Sequence, residues 1–428
     1  MNSENNLIPH YRFPEFEKFL WKEKKMDQLF HFVRGPFGGA LKKEIFTNKG
    51  YAVYEQSHAI YNNFTDYRYY ITKDKYNELQ RFSVKPQDLL MSCSGTMGKF
   101  SIVPENYKEG VINQALLKLT VKENNNVHFL KYLLETDLYQ HKLLSQSAGG
   151  AIKNVVGVSE IKHIATIIPQ LNEQQKIAAC LSSLDDVIVG HEEKLTILEE
   201  HKKGLMQNLF PQEGETKSKY RFPAFEYDGD WVEINILEVA SMKARIGWQN
   251  LRTEEHLNQG EYYLVTGTDF KNNRVDWDNA KYVSYDRYIQ DENIILKEGD
   301  ILITKDGSIG KVAYVNNIKD KKSTLNNGIF RIRINENYKS EFIFHSFLNN
   351  RFKLFLDKLS GGSSIVHLYQ KDFEKYAIQL PKNSNEQQKI AEVLSSVDDL
   401  IVAQREKIET LKEHKKGLMQ GLFPKIES

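Results

Sequence analysis

Apolar residues recur at steps of four and three from Ile177 through Leu181, Leu184 and Ile188 to Leu195, Leu198, Leu205 and Leu209. The same steps return at Ile390, Leu394, Val397, Ile401, Ile408, Leu411, Leu418 and Leu422. A seam spaced this way is that of a coiled coil. Polar residues interrupt it at His191 and Lys202 in the first run and at Gln404 and Lys415 in the second, and polar seam positions fix register at some cost in stability. Asn172 and Asn385 suit the first turn, no proline lies inside either run, and Pro211 and Pro424 close the far ends. Each run therefore predicts one helix of roughly 38 residues, about 57 Å long. Residues 172–211 and 385–424 are identical at 28 of 40 positions, and a repeat of this kind governs how the rest of the chain is read. Each helix must bury its stripe, and the evident partner is its own second copy, in an intramolecular coiled coil. The seam alone leaves parallel and antiparallel pairing open; antiparallel helices would relate two equal domains by a rough two-fold. The other reading makes each helix a C-terminal brace on its own domain.

The preceding stretches repeat as well. YRFPEF at Tyr11–Phe16 and YRFPAF at Tyr220–Phe225 open two halves, with Trp21 and Trp231 following. The polar segment 212–219 between the halves reads as a linker. The predicted organisation is a first domain at 1–171, a helix at 172–211, the linker, a second domain at 220–384 and a second helix at 385–428. After the openings the halves diverge, at Phe32–Phe64 and Ser241–Trp277, in stretches rich in glycine, aromatic, amide and basic residues that suit loops presenting hydrogen-bonding groups. One frame with different inserts points to two readers of two different things. The match resumes at 84–103 and 296–315, where apolar residues flank a glycine turn and predict a β-hairpin; Asp88 aligns with Asp300, Gly95 with Gly307, Gly98 with Gly310 and Lys99 with Lys311. GTMGK and GSIGK lack the spacing and the following Ser or Thr of a phosphate-binding loop. Their lysines are either solvated turn residues or DNA phosphate contacts. Asn113 aligns with Asn326, helical patterns follow at 127–144 and 340–359, and the glycine pairs Gly149-Gly150 and Gly361-Gly362, the latter followed by Ser363 and Ser364, lead towards the long helices. These pairs are tight connections or places where backbone approaches a ligand.

Composition narrows the class. A chain of 428 residues with 40% hydrophobic and 27% charged residues exceeds one ordinary core and has no apolar run of membrane-crossing length. The amino-terminal stretch lacks a secretion pattern, and Cys93 and Cys180 lack ligand spacing, so a reducing cytoplasm is expected and zinc fingers are excluded. The net charge of +1 is unevenly spread: residues 1–171 carry 22 basic and 17 acidic side chains, the two helices 10 and 14, and residues 212–384 carry 25 of each. Nucleic-acid binding with so little excess charge calls for clustered basic residues or for partners that add phosphate contacts. No amino-methyltransferase motif, nucleotide fingerprint or metal spacing occurs among the twelve histidines. The repeated His-Lys-Lys at 201–203 and 414–416 fits helix-dipole or partner contacts.

With the paired YRFPxF openings, the QDLL/GTMGK and GDIL/GSIGK segments, the Gly-Gly loops and the NEQQKIA…EHKKGLMQxLFP helices in view, the chain resembles the DNA-specificity subunit of type I restriction-modification systems over essentially its full length. The resemblance implies an α+β fold: two similar mixed α/β target-recognition domains, joined and separated by two long helices in an antiparallel coiled coil with pseudo-two-fold symmetry. It implies a non-catalytic subunit whose domains each read half of a split double-stranded DNA target and whose helices dock two modification (methyltransferase) subunits, with restriction subunits added. S-adenosylmethionine, and ATP with Mg, would belong to those partners, in an adenine methyltransferase and ATP-dependent endonuclease. Candidate DNA contacts are Arg34, Lys42, Lys43, Tyr54, Gln56, Lys99 and Lys153 in the first domain, and Arg245, Trp248, Gln249, Lys305, Lys311 and His367 in the second. Helix residues that the seam does not explain, yet both copies share, are candidate partner contacts: Gln175, Asp185, Asp186, His201 and Lys203 with Gln388, Asp398, Asp399, His414 and Lys416. The readings of another class are a coiled-coil scaffold that ignores DNA and a DNA enzyme of unrecognised type. Where the family has Gly-Asp in the hairpin segment, the first domain has Gln87-Asp88.

Overall fold

The structure, a computed structural model, describes residues 9–37, 39–146, 153–155, 157–360 and 367–424. Gly149-Gly150, Gly361-Gly362, Ser363 and Ser364 lie outside them. The chain divides into two compact units: residues up to His191 together with those from Ile408 onward, and Glu192–Lys407. Both division points fall inside the long helices. Among the described residues no helix is long and apolar enough to cross a membrane.

In the first unit, Lys22–Lys25 pairs antiparallel with Ala165–Ile168 and ties the start of the domain to its end. A four-stranded antiparallel sheet runs Phe30–Arg34, Leu116–Val121, Asp88–Ser92, Phe100–Ile102. A three-stranded sheet runs Tyr70–Ile71, Tyr51–Tyr54, Gly110–Ile112, and its last pair is parallel. The second unit repeats this frame. Val232–Asn235 pairs with Ala377–Leu380. Ala240–Ala244, Ile329–Ile334, Ile301–Thr304 and Val312–Tyr314 take the same order, and a hairpin of Phe270–Lys271 and Arg274–Val275 extends that sheet to six strands. Lys281–Val283, Tyr262–Val265 and Lys322–Leu325 form the smaller sheet.

The predicted hairpins are present, and their apolar runs are continuous because both sheet faces are covered. Leu89 and Met91 face the cluster that holds the domain's helices, whereas Leu90 faces Tyr54 and Ile112. Ile301 and Ile303 divide from Leu302 in the same way. Asp88 and Asp300 hold the turn before each hairpin: their carboxylates accept the backbone N–H of Lys85 and Lys297, each at 2.8 Å. Asp88 also accepts Thr120 Oγ1 at 2.5 Å, and Asp300 a two-pronged Arg333 at 2.7 Å. Gln87 has φ 66° where Gly299 has φ 84°, so the first domain keeps the turn of the Gly-Asp pattern with a residue that pays for a left-handed backbone.

The two long helices, Leu171–Leu209 and Ser384–Leu422, have 39 residues each. At their first turns Glu173 and Glu386 are fully buried. Arg12 of the first opening meets Glu173 at 2.8 and 2.9 Å, and Arg221 of the second meets Glu386 at 2.8 and 2.7 Å. The neighbouring glutamines are buried too: Gln174 bonds the backbone of Asn126 and Pro169, and Gln387 that of Lys339 and Pro381. At the other ends, Tyr11 N–H donates to Gly421 O at 2.8 Å and Tyr220 N–H to Asn208 O at 2.9 Å. Leu422 and Phe423 enter the core of the first unit, and Leu209 and Phe210 that of the second. Each unit thus contains the start of one long helix and the end of the other. Pairing between the helices and bracing of a domain, posed above as alternatives, therefore occur together.

Within the second unit the helices run antiparallel, since Glu199 meets Arg405 and Lys202 meets Asp398, each at 2.5 Å. In the first unit Lys415 meets Asp185 at 2.5 Å. The seam lysines are thus the cross-helix partners of the repeated aspartates. Asp185 also accepts Tyr132 Oη at 2.7 Å, with Ser182 Oγ 3.2 Å from the same hydroxyl. In the second unit His345 takes the place of that tyrosine, its Nε2 3.2 Å from Ser395 Oγ and its Nδ1 4.0 Å from Asp398.

Two expected outcomes follow. Gln87→Gly relieves the left-handed strain and raises stability by about 1 kcal/mol, whereas Gly299→Ala lowers it; calorimetric Tm values that move the same way in both variants would contradict the turn assignment. Burial, with Lys202 and Arg274 nearby, pushes the His345 pKa from 6.5 down to about 3. The unfolded chain therefore binds the extra proton first, and stability that is complete above pH 6.5 is lost as pH falls below it, by up to ~1.4 kcal/mol per pH unit. His345→Tyr, which restores the first unit's hydroxyl, should lose less Tm than the wild type between pH 7 and 5; equal losses would exclude His345 as the cause.

Candidate nucleic-acid interface

In each unit the divergent insert, the glycine turn of the hairpin and the asparagine loop meet at one end of the larger sheet. The antiparallel order produces this: strand Phe30–Arg34 ends where Asp88–Ser92 ends and where Phe100–Ile102 and Leu116–Val121 begin. Backbone bonds lock the loops together there. Gly35 N–H donates to Leu116 O at 2.9 Å, Cys93 N–H to Ala115 O at 2.8 Å, and Asn113 N–H to Tyr54 O at 2.9 Å. In the second unit Asn326 N–H reaches Val265 O at 2.9 Å and Lys305 N–H reaches Gly328 O at 2.8 Å.

The turn before each lysine is pinned by a hydroxyl. Ser92 Oγ donates to Thr96 O at 2.7 Å and accepts Lys99 N–H at 3.0 Å; Thr304 Oγ1 does the same with Ser308 O at 2.5 Å and Lys311 N–H at 2.9 Å. Gly98 at φ 74° and Gly310 at φ 79° supply the left-handed backbone. A side chain on Gly98 would run into Gln140, and one on Gly310 into Leu356. Lys99 and Lys311 consequently stand exposed on rigid turns at equivalent places.

The other candidates sort by burial. Arg34, Lys42 and Lys43 are exposed on the first insert. Gln56 is half-buried, with its amide over Gly95 of the glycine turn. Lys305 ion-pairs with Asp306 at 3.1 Å, and His367 Nδ1 hydrogen-bonds the same carboxylate. Three residues are placed otherwise than expected. Tyr54 is fully buried and donates to Lys108 O at 2.6 Å, because its strand is covered on both faces; burial pushes its phenol far above the usual range. Arg245 points inward to Leu325 O at 2.9 Å and to Thr324 and Gln290 at 3.2 Å, and burial lowers its pKa to about 10. Gln249 is buried as well. Lys153 lies in strand Lys153–Val155 and Trp248 in the short helix Gly247–Gln249, but their side chains are outside the described residues. Sequence reasoning missed Phe37, 95% exposed just beyond Arg34, and Asp306. An aromatic in a glycine-rich insert was the signal for the first; a carboxylate in a glycine turn gives no such signal.

Of the partner candidates, Asp185 and Asp398 are engaged by Lys415 and Lys202, and Asp399 by Arg274 of the added hairpin at 2.6 Å. Gln175, Asp186, His201, Lys203, His414 and Lys416 are exposed, and Gln388 is half-buried.

Residues 20–200 and 228–413 each match the type I restriction modification DNA specificity domain. The MjaVIII type I restriction enzyme specificity subunit of Methanocaldococcus jannaschii is 26% identical over 328 residues, which is 74% of each chain. The MjaX specificity subunit assigned to a type I restriction enzyme of that organism is 26% identical over 366 residues, 83% of this chain and 81% of the relative. The fold is similar to the crystal structure of the type I restriction-modification S subunit from M. genitalium, at TM-score 0.63 and 16% identity over 98% of this chain and 100% of that one. A chain from a structure of type I restriction-modification complex assembly gives TM-score 0.54 at 16% identity, covering 96% and 99%.

Exposed lysines on rigid turns of the shared frame suit phosphates rather than bases. Lys99→Ala and Lys311→Ala should each weaken DNA binding evenly across sequences and flatten the log K against log salt plot by roughly one unit. Titrations at several salt concentrations check this; a changed sequence preference at an unchanged slope would place these lysines on base edges.

Proposed function

The chain belongs to the type I restriction-modification DNA specificity family, and we propose that it gives such a complex its target sequence, each recognition domain reading one half of a split site in double-stranded DNA. One observation carries this reading: a single frame occurs twice, and in both copies the divergent insert begins beside the hairpin's glycine turn, at the same end of the larger sheet. Conserved framing with variable loops is how a rigid scaffold presents alternative recognition surfaces. In this reading the long helices, each of 39 residues, also set the spacing of the two half-sites.

The helices also dock two methyltransferase subunits in this reading. Support comes from exposed residues repeated in both copies, His201 and Lys203 with His414 and Lys416, which the cross-helix pairs leave unexplained. The shared aspartates, by contrast, are largely accounted for by contacts inside the chain. Adenine methylation with S-adenosylmethionine, and cleavage with ATP and Mg, would be performed by the modification and restriction subunits.

Replacing residues 11–170 by the matching domain of a related subunit should change one half-site and leave the other and the spacer intact. Sequencing of methylated adenines in a host carrying the complex reads both halves at once. A change in both halves would remove the modular reading, and a target that is not split in the wild type would remove the proposal itself.

A further inference from the structure

Asp306 and His367 form a dyad at the reading end of the second domain. The turn that carries Asp306 is held from two sides: Lys305 N–H donates to Gly328 O and Leu368 N–H to Lys305 O, both at 2.8 Å. Asp306 and His367 are also paired through their backbones as an antiparallel bridge. The Asp306 carboxylate hydrogen-bonds His367 Nδ1, and the Tyr369 ring packs edge-on against the imidazole with centroids 4.6 Å apart. The His367 side chain is 32% exposed, so the ring is fixed by one nitrogen and one edge while remaining accessible. The aligned position in the first domain is Ser94. The dyad therefore belongs to one reader and not to the frame that both share.

A carboxylate is an unexpected neighbour for DNA, since it repels phosphate. That repulsion decides between the two uses of an accessible histidine. A phosphate contact needs positive charge and tolerates a loose side chain; a base contact needs a fixed direction, which a second hydrogen bond to the far ring nitrogen supplies. Lys305, ion-paired with the same carboxylate, offsets part of its negative charge.

We propose that His367 is a specificity-determining residue of the second domain, reading one base pair through Nε2 from the major groove, and that Asp306 is its positioning residue. With Nδ1 committed to Asp306, Nε2 accepts from cytosine N4 or adenine N6 when neutral and donates to guanine O6 or N7 when protonated. This rests on the proposed reading of one half-site by each domain.

The test is the methylation motif of the assembled complex carrying His367→Ala, His367→Gln or Asp306→Asn, read by sequencing methylated adenines, with native mass spectrometry confirming subunit assembly. His367→Ala is expected to relax one position of the second domain's half-site by roughly tenfold or more, the range of a single lost base contact. Asp306→Asn should relax the same position less, His367→Gln should shift its base preference, and the other half-site should stay as in the wild type. The base favoured in the wild type identifies the donor or acceptor state. A motif unaltered in all three variants, or a uniform loss of methylation without any change in base preference, would overturn the assignment while the split wild-type target stands. Should His367→Ala fail to assemble, the motifs of the other two variants decide by the same criteria. A wild-type target that is not split would instead defeat the proposed function, and this inference with it.

Discussion

A buried carboxylate at the first turn of each long helix is the contact on which the rest of each unit depends. Glu173 is closed off from water and is tolerable there because Arg12 grips it with two hydrogen bonds and Trp21 Nε1 adds a third at 3.1 Å. Removing one partner of such a pair costs about 3–5 kcal/mol, since it strands a charge in the core. Arg221 and Glu386 repeat the arrangement, while among the described residues the Trp231 indole N–H has no partner. In each unit the opening segment also caps the end of the other long helix through a backbone bond. One short motif thus fastens the domain, the start of one helix and the end of the other.

The cross-helix lysine–aspartate pairs add direction to this anchoring. A lysine on an apolar seam is unfavourable unless a carboxylate lies within reach, and only antiparallel helices bring Lys202 to Asp398 beside Glu199 and Arg405. Like Lys415 and Asp185, the pair is partly buried, so it is screened less than a surface pair. Register is therefore specified at residues whose polarity breaks the seam, and not by the apolar steps themselves.

The proposed reading function sits where this frame imposes least. The proposed reading end of each larger sheet is made of loops tied to one another by backbone bonds, which leaves side chains such as Lys99 and Lys311 exposed. The same tying explains the misplaced candidates. Arg245 and Gln249 belong to the divergent insert, but the backbone there turns them into the core, where Arg245 satisfies the carbonyl of Leu325. The added hairpin of the second domain, whose Arg274 reaches Asp399 and whose Asn272 meets Arg405, has no counterpart among the described residues of the first domain's sheet. The two recognition domains consequently share a topology and the anchoring of the helix ends, while the second domain adds contacts to the helices through its hairpin.

By itself the sequence determined the duplication, the two long helices, the hairpins with their glycine turns and the family resemblance. Each of these is written in local periodicity or in identity between copies, and neither requires knowledge of what lies across the core. The seam alone could not decide helix direction, because an apolar stripe is compatible with either; the antiparallel order that the resemblance implied acquired its physical reason when the seam lysines met their aspartates. Nor could the sequence separate shared residues that dock a partner from those that hold the chain together. Gln174 and Gln387, polar in both copies and off the apolar seam, are buried and bond the backbone of the domains they join. Tyr54 and His367 carry the same lesson at the reading end: both are polar aromatic groups in or near loops, and only three-dimensional packing sent one into the core and left the other at the surface, held by Asp306.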